Sequence, residues 1–542
     1  MAGAGVCLLA AAFVCAFLLS ACHNAQTDLP FHVLRVGWTA EPGSLNPLSD
    51  RGGEASRQIT NLIYEPLVAY DSNLEISYRL AESCEYSLDS LTRTYKLREN
   101  AFWHDGAPVT ANDVLWTYKA VKEYDLGEFS YLLQYLEGIS APDDHTVTLR
   151  FSRPQLFDAA PAIPILPAHI WGEMDADALL AYENETPVGS GPLVFEEWIQ
   201  GATLSLRKNP VYYGPEPGPD QILFYCYADE TQMSLALRSN KADIVMGLSP
   251  GAWDGLKDEA DIRTASLPAF AFHMGCVNVS QSDRSRGNPL LLDKTVRLVL
   301  GYALDRVRIV NSAVSGRGAP GGVLIPPAME KWQYSLMPEE VIDNDAEKAR
   351  LLLDEAGYVD DDGDGIREKD GLKLEFRLFA AETDESGLIA ARLFSKMAED
   401  IGISLLFTEM DEAAMNRRIR SVNTPDYDIC IRSRDFVFPD PSAMTALPLT
   451  DRFGTDNETY YANPAYDELY ARQLAETDAA ARKELLDQMQ RMYYGDAVCF
   501  ILWYHEKLQA YRTDRWTGFS DTPGGIVGNI VYDNYLNIRP AE

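Results

Sequence analysis

“LKLEFRLF” (residues 372–379), “SLLFTEM” (404–410) and “YDICIRSRD” (427–435) are apolar-rich runs of strand length, and the region that contains them decides the fold. Between them lie “GLIAARLFSKMAEDIG” (387–402) and “EAAMNRRIR” (412–420), which have the length and the apolar spacing of helices. Strands that alternate with helices indicate βαβ crossovers. We therefore predict the α/β class, arranged as two α/β or mixed lobes rather than as one barrel.

Two further helices are predicted upstream of this region. One starts at Leu292, and its apolar residues fall on one helical face. That face consists of Val296, Val299, Ala303, Val307 and Val310. The other helix is bounded by Asn344 and Glu347, which have the spacing of a capping box, and by Gly357, a residue suited to a helix C-terminus.

The length and charge of the chain limit what it can be. A chain of 542 residues is too long for one core, which predicts two or three domains. A hydrophobic content of 46%, with 28 Tyr and 9 Trp, is typical of a folded protein. The formal net charge of -34 argues against binding to nucleic acid phosphates and against electrostatic attraction to anionic lipid.

“FWHDGAPVTANDV” (102–114) places His104 beside Asp105, a pair that raises the question of general acid–base chemistry. Neighbours in an extended segment point to opposite faces, so the two side chains are poorly placed to share one substrate. We instead predict a β-hairpin over residues 93–106 that closes on the Asp105-Gly106 turn. The interpretation of this segment is structural.

Two other local motifs also receive structural interpretations. Thr110 and Asp113 stand three residues apart at the start of an apolar-periodic run, which predicts a helix cap. Residues 188–192, “VGSGP”, lack the residue that a nucleophile elbow needs between its serine and its second glycine, so they predict a glycine turn.

The first 21 residues contain no charged side chain and end at “LSAC”, Leu19 to Cys22. Small residues before a cysteine at the end of an apolar leader have the form of a bacterial lipobox. We predict a lipoprotein signal peptide at 1–21, lipidation of Cys22 and a polar tether at 22–30. A membrane helix with an incidental cysteine is the alternative, because the leader lacks Lys or Arg near its start.

The cysteines of the mature chain are widely spaced. They are Cys84, Cys226, Cys276, Cys430 and Cys499. The absence of a C-x-x-C pair argues against a zinc site and a dense disulfide framework, and at most two bridges could form with one thiol left over.

“DDDGDGIRE” (360–368) resembles a calcium loop, because aspartates stand at alternate positions before a glycine. The twelfth position, where an EF-hand has Glu, is Gly371. An acidic turn is the preferred interpretation, with metal binding as the alternative. The candidate ligands are Asp360, Asp362, Asp364 and Glu368.

The sequence contains no H-E-x-x-H, no Walker loop and no G-x-G-x-x-G after a strand. We therefore predict no catalytic residues, no cofactor and no enzymatic activity.

Six motifs in order along the chain resemble the peptide-type solute-binding proteins of bacterial ABC importers, which serve oligopeptide, dipeptide, nickel and some sugar uptake systems. The motifs begin with “IYEPLVAYD” (63–71) and end with “YYANPAYDELYARQLAETDAAARKELL” (460–486). The four between them start at residues 80, 187, 295 and 346. The resemblance implies a two-lobed periplasmic-binding-protein fold with a subdomain inserted into lobe I.

The resemblance also implies domain boundaries. Lobe I would consist of residues 31–61, the inserted subdomain 62–187, residues 188–272 and the C-terminal residues 505–542. Lobe II would consist of residues 273–504.

In peptide binders of this family two segments line the cleft between the lobes. The first corresponds to “WTAEPGSLNP”, where Trp38 and Glu41 are the candidates and a solvated loop charge is the alternative for Glu41. The second corresponds to “IRSRDFVFPDP”, where the family's aspartate for the ligand's α-amino group is replaced by Val437 and its tryptophan by Arg434. A buried ammonium needs a counter-charge, so Val437 cannot take over that role.

Other residues of the second segment offer a substitute. The departure at Val437 puts a free peptide N-terminus in doubt as the anchor. Asp435 lies two residues before Val437 and shares its strand face, so it could take over only if its side chain turns inward. Arg432 and Arg434 share the other face and could receive a carboxylate, or could be rim residues in solvent. Phe436 completes the candidate set in this segment.

The resemblance implies a monomer in the cell envelope that captures a small ligand, with a peptide as the expected class, and delivers it to a membrane permease. A nickel or metal-chelate binder is the first alternative and would need His273 or His505 at the cleft. A cell-surface hydrolase is the second alternative.

Overall fold

The computed structural model describes residues 32–49, 53–124, 126, 129, 133–154, 163–436, 439–528 and 533–541. The predicted leader, Cys22, the tether and Val437 lie outside these residues.

The elements that precede residue 260 are, in chain order, β1 (Val33–Trp38), α1 (Gly53–Ile63), β2 (Val68–Tyr70), β3 (Ile76–Tyr78), β4 (Ala81–Tyr86), β5 (Thr92–Leu97), α2 (Ala111–Glu123), β6 (Leu136–Asp143), β7 (Thr146–Phe151), α3 (Ala168–Trp171), α4 (Ala176–Ala181), β8 (Leu193–Ile199), β9 (Thr203–Lys208), β10 (Gln221–Cys226), α5 (Glu230–Arg238), β11 (Ile244–Val245) and α6 (Pro250–Leu256).

The elements that follow are β12 (Ile262–Val277), α7 (Lys294–Ala303), α8 (Arg306–Ala313), β13 (Ala319–Pro320), α9 (Ala346–Ala356), β14 (Glu368–Lys369), β15 (Leu372–Lys373), β16 (Glu375–Ala381), α10 (Glu385–Glu399), β17 (Ser404–Met410), α11 (Glu412–Ile419), β18 (Ile429–Asp435), α12 (Pro441–Thr445), α13 (Pro464–Ala475), α14 (Ala479–Gly495), β19 (Cys499–Arg512), β20 (Trp516–Thr517), α15 (Asp533–Asn537) and β21 (Arg539–Pro540). Short 3₁₀ turns occupy Pro289–Leu292, Pro327–Trp332, Pro338–Glu340 and Thr450–Arg452.

Among the described residues one sheet of eleven strands runs through the whole molecule, in the order β17-β16-β18-β12-β19-β11-β1-β10-β9-β8, with β13 also paired to β19. The strands β12 and β19 lie at its centre and pair antiparallel along most of their lengths of 16 and 14 residues. Their register breaks between Pro268 and Phe272. The break divides the sheet into two halves that share only these two strands.

Each half of the sheet has its own hydrophobic core. One large core draws its buried residues from 270–504, and the other draws them from 34–265 together with 511–538. A smaller third cluster, from residues 233–262 and 508–510, belongs to the same half as the second core. The second sheet, of order β4-β5-β7-β6, packs on the latter core through residues such as Tyr95 and Val147. The predicted α/β class with two lobes is confirmed.

The α/β alternation predicted for 372–435 is also confirmed. The strands β16, β17 and β18 and the helices α10 and α11 occupy the predicted segments, and β16 pairs parallel with both other strands. A buried aliphatic strand followed by an amphipathic helix is a local pattern, which is why it could be read from the sequence.

Two helix predictions need correction. The single helix from Leu292 is wrong, because the chain breaks at Leu304 into α7 and α8, and Val307 is 54% exposed rather than on the buried face. The cap of α9 is Asp345, which accepts a hydrogen bond from the Lys348 amide at 2.9 Å, and not Asn344. The predicted C-terminal glycine, Gly357, adopts φ 81° as expected.

The hairpin predicted over 93–106 is wrong, because β5 pairs with β4 and β7 instead. The Asp105-Gly106 turn does form, with Gly106 at φ 91° and a bridge between Phe102 and Pro108. The predicted cap is confirmed, because the Thr110 amide donates to Asp113 Oδ2 at 2.8 Å at the start of α2.

His104 has a structural role that connects this turn to the glycine turn. Its Nδ1 accepts a hydrogen bond from the Gly189 amide at 3.2 Å, so its Nε2 carries the proton and donates to the Gly191 carbonyl at 3.1 Å. Gly189 packs so closely on α1 that an added Cβ would lie 1.9 Å from the Ile63 carbonyl oxygen. Asp105 is engaged elsewhere, at 2.7 Å from His169 Nε2.

The His104 contact predicts a pH dependence of stability. Burial lowers the pKa of His104 to about 4, whereas an unfolded histidine titrates near 6.5. A lowered histidine pKa stabilises the protein above pH 6.5, and this contribution, about 3 kcal/mol, is lost as the pH falls towards 4. Urea unfolding of the wild type and His104→Gln at several pH values should show the two stabilities converging below pH 6. Parallel profiles would contradict this assignment.

Candidate functional site

A cleft of about 570 Å³ lies between the small sheet of β2 and β3 and the segments around residues 328–332 and 479–482. Its lining residues belong to none of the strands of the eleven-stranded sheet, and Asp435 is not among them. One wall is formed by β2, β3 and the turn between them, and the opposite wall by the 3₁₀ turn Pro327–Trp332 and the start of α14. The aromatic side chains on its walls are Tyr70, Tyr78, Tyr86 and Trp332. A pocket lined by aromatics and a few polar groups is the usual form of a small-ligand site.

Two ion pairs organise the charges of this cleft. Lys331 Nζ lies 3.0 Å from Glu75 Oε1 and joins the two walls. Arg482 lies 3.2 Å from Asp440 Oδ1 and over the ring of Trp332 at 5.1 Å. Asp440, which precedes the final proline of “IRSRDFVFPDP”, also caps α12 by accepting from the Ser442 amide at 2.7 Å. Its role is therefore to hold the wall of the cleft.

Asp435 ends β18 beside elements of the other half of the sheet. The Asp435 side chain is exposed, but desolvation by the surrounding protein still raises the pKa of its carboxyl, which the nearby positive charge of Lys507 opposes and Glu54 reinforces. Glu54, in the first turn of α1, pairs with Lys507 of β19 at 2.8 Å. Within the described part of the chain the Asp435 side chain has no hydrogen-bonded or ion-paired partner, although its backbone pairs with Ala271 of β12. It is thus an available carboxylate at the point where the halves meet.

Arg432 and Arg434 share one strand face, as the sequence predicts, but their charges are already engaged. Glu458 exposes only 1% of its surface. Its carboxylate lies 3.2 Å from Arg432, 2.8 Å from Arg434 and 3.1 Å from Arg420. Burial raises the pKa of Glu458, and Arg434 and Arg432 oppose the rise. Sequence reasoning missed Glu458; two arginines on a buried strand signal that a counter-charge is needed, but not where it comes from.

Trp38 and Glu41 serve the scaffold around β1. Trp38 is buried and its ring centre lies 4.8 Å from that of Phe224. Glu41 Oε1 accepts from the Trp198 indole at 2.8 Å and from the Gly201 amide at 2.6 Å. These contacts fix the β8–β9 turn, and the predicted ligand role of both residues stays a prediction.

His273 and His505 lie in the two central strands, next to the register break. His273 Nδ1 lies 2.6 Å from His505 Nε2, and His273 Nε2 lies 2.9 Å from Asp384 Oδ2. The His273 ring also stacks on Trp503 at 4.0 Å, and burial lowers the pKa of His505 to about 3. Because both nitrogens of His273 have partners, this arrangement does not present that residue to a metal chelate.

Two candidate sets remain. Phe436 packs against Phe272 with ring centres 5.5 Å apart. Of the acidic candidates, Asp360, Asp362 and Glu368 come together, with carboxylate oxygens within 4.8 Å of one another. Asp364 is not in that group; its carboxylate contacts Lys373, which also contacts Asp362.

The comparisons with known proteins identify the class of this fold and cleft. Residues 75–456 match the family described as bacterial extracellular solute-binding proteins, family 5 Middle. The chain belongs to this family of ABC-transporter solute-binding proteins, and its fold is the two-lobed periplasmic-binding-protein fold.

Individual relatives span nearly the whole chain. It is 27% identical to Protein XP55 of Streptomyces lividans, over 96% of this chain and 92% of that protein. It is 25% identical to the oligopeptide-binding protein AppA of Bacillus subtilis, over 89% and 91%. A crystal structure of a periplasmic oligopeptide-binding protein from Thermotoga maritima superposes with a TM-score of 0.81 at 22% identity, covering 94% of this chain and 100% of that one. None of the described helices is both long and apolar enough to cross a membrane.

The arginine cluster predicts a large stability effect. Glu458→Ala should lower the free energy of unfolding by about 3 to 5 kcal/mol, because it leaves buried arginines without their counter-charge. Glu355→Ala, at an exposed position in the last turn of α9, is the control and should stay within about 0.5 kcal/mol of the wild type. Urea unfolding measures both. Equal effects of the two substitutions would show that the cluster contributes little.

Proposed function

We propose that this protein is a lipid-anchored, extracytoplasmic binding protein that captures a small solute, with a peptide as the leading class, and delivers it to the permease of an ABC importer. The observation that carries the proposal is the pair of central strands, which connect two separate cores and lose their register between Pro268 and Phe272. Two rigid bodies joined in this way can close over a ligand. The similarity to a protein named as oligopeptide-binding supports the peptide class.

The proposed lobe boundaries lie in the two central strands, where one core gives way to the other. Lobe I comprises residues 31–272 and 505–542, with the inserted subdomain at 62–187, and lobe II comprises 273–504. The division of the buried residues into two cores supports these limits. The cleft lined by Tyr78 and Trp332 then lies between the inserted subdomain and lobe II.

Asp435 is the proposed anchor for the ligand's α-amino group, in place of the family's aspartate at the position of Val437. Three features support it: the Asp435 carboxyl lies within electrostatic range of Lys507 and Glu54 of the other lobe, its side chain has no partner among the described residues, and a cation would offset the desolvation that raises its pKa. The alternative of an anion bound by Arg432 and Arg434 is weakened, because Glu458 already neutralises part of their charge.

The test of function starts from the ligand itself. Native mass spectrometry of the protein as purified should reveal a bound peptide, and incubation should return that peptide intact. Hydrolysis of the peptide would favour the surface-hydrolase alternative. A bound metal chelate would favour the nickel alternative and would contradict the peptide class.

The test of the anchor uses the peptide identified in this way. Calorimetry should show that N-acetylation of the peptide, and separately Asp435→Asn, each weaken binding by about 2 kcal/mol, roughly 30-fold, because a charge-assisted hydrogen bond is lost. The control is Asp258→Asn, at an exposed position in the turn between α6 and β12. Unchanged affinity in both experiments would remove Asp435 as the anchor.

The proposed lipid anchor gives a separate prediction. Cys22→Ala should release the protein from membranes, because Cys22 would no longer accept lipid. Cys15→Ala, a substitution inside the leader, is the matched control and should leave the protein anchored. Membrane fractionation with mass spectrometry of the N-terminus measures both; a Cys22→Ala protein that stays on the membrane with its leader attached would show that the anchor is a helix.

A further inference from the structure

The acidic segment between α9 and β14 is closed into a loop by its own backbone. Val359 and Glu368 form an antiparallel bridge, in which the Val359 amide donates to Glu368 at 3.0 Å and the Glu368 amide donates back at 2.7 Å. The bridge turns the ninth residue of “DDDGDGIRE” back beside the first. Glu368 therefore reaches Asp360 and Asp362 although Gly371 stands at the twelfth position of the motif.

Glu368 differs from the other acidic residues of the loop in its burial. Asp360 and Asp362 are exposed, whereas Glu368 keeps only 7% of its surface exposed. Its Oε1 accepts a hydrogen bond from the Asp361 amide at 3.1 Å, but its buried Oε2 accepts none from the described residues. A buried carboxylate oxygen without a partner is costly, and a cation held between the three carboxylates would satisfy it.

We propose that Asp360, Asp362 and Glu368 form a calcium site. The donors are all carboxylate oxygens, which suit a hard cation and not zinc or nickel, whose usual ligands include nitrogen or sulfur. Calcium takes six to eight oxygen ligands in flexible geometry, so backbone carbonyls and water can complete its shell in this loop, whereas magnesium demands a near-ideal octahedron.

Lys373 and Asp364 affect the calcium affinity of this site. Lys373 Nζ lies 2.7 Å from Asp362 Oδ2 and 2.5 Å from Asp364 Oδ2. It is a positive charge that competes with the metal for Asp362. Asp364 holds the lysine and is not a ligand, which distinguishes this loop from an EF-hand.

The position of the loop gives the site a structural role. The loop connects α9 to the small β14–β15 sheet, after which the Leu374 amide donates to the Arg367 carbonyl at 2.8 Å and the chain enters β16, the strand between β17 and β18. A metal ion here would tie the helix to the sheet. The inference is independent of the solute that the cleft takes.

The experiment titrates CaCl2 into the full mature chain after treatment with EDTA. Calorimetry should show one site with a Kd of about 10⁻⁴ to 10⁻³ M, the range of extracellular calcium modules, and calcium should raise the melting temperature. Glu368→Gln should weaken binding at least about tenfold, because it removes a charged ligand. Asp361→Asn, in the same loop but outside the ligand group, is the matched control and should bind as the wild type does. Lys373→Met should strengthen binding.

Three results would overturn the proposal: no saturable binding up to about 5 mM calcium, an equal effect of magnesium at the same concentration, or wild-type affinity in Glu368→Gln. The last would indicate an adventitious ion only. Circular dichroism and melting in EDTA check that Glu368→Gln folds, and Asp362→Asn, a change at an exposed ligand, provides a second variant that should also lose affinity.

Discussion

The antiparallel pairing of β12 with β19 is the interaction on which the rest of the structure depends. These two strands belong to both lobes, and each end of the pair is buried in a different core. The ladder is interrupted between Pro268 and Phe272, and a proline cannot donate a ladder hydrogen bond. The cores keep each lobe rigid, so bending between the lobes is expected at the interruption of the ladder. The stacked His273 and Trp503 lie directly beside it.

The sequence predicted the parts of the fold that depend on neighbours along the chain. The alternation over 372–435 and the cap at Thr110 and Asp113 were correct, because periodicity and capping are local. The hairpin at 93–106 was wrong because β5 takes its partners from β4 and from β7, about 50 residues away. The break at Leu304 was missed because an apolar face at helical spacing continues across it.

The candidate site shows the same division. Strand alternation placed Asp435 opposite to Arg432 and Arg434, and the structure agrees. Glu458 could not be predicted, because the chain brings it to β18 only through tertiary packing. The proximity of three cysteines could not be predicted from the sequence either. Cys276 lies directly opposite both Cys430 and Cys499 on neighbouring strands, so thiols far apart in sequence form one buried row.

The return of β19 to lobe I has a consequence for the order in which the chain can fold. β19 separates β11 from β12 in the sheet, and Ile244 pairs with Tyr511. The buried residues of the lobe II core, among those described, lie between 270 and 504, so this core can assemble as soon as that stretch has emerged. Lobe I must wait for the last forty or so residues, and contacts of such sequence separation form slowly. Until then β11 and the first half of β12 are open edges, the kind that invites aggregation. A chain that ends before residue 505 would therefore keep a complete lobe II beside a lobe I that cannot close its sheet.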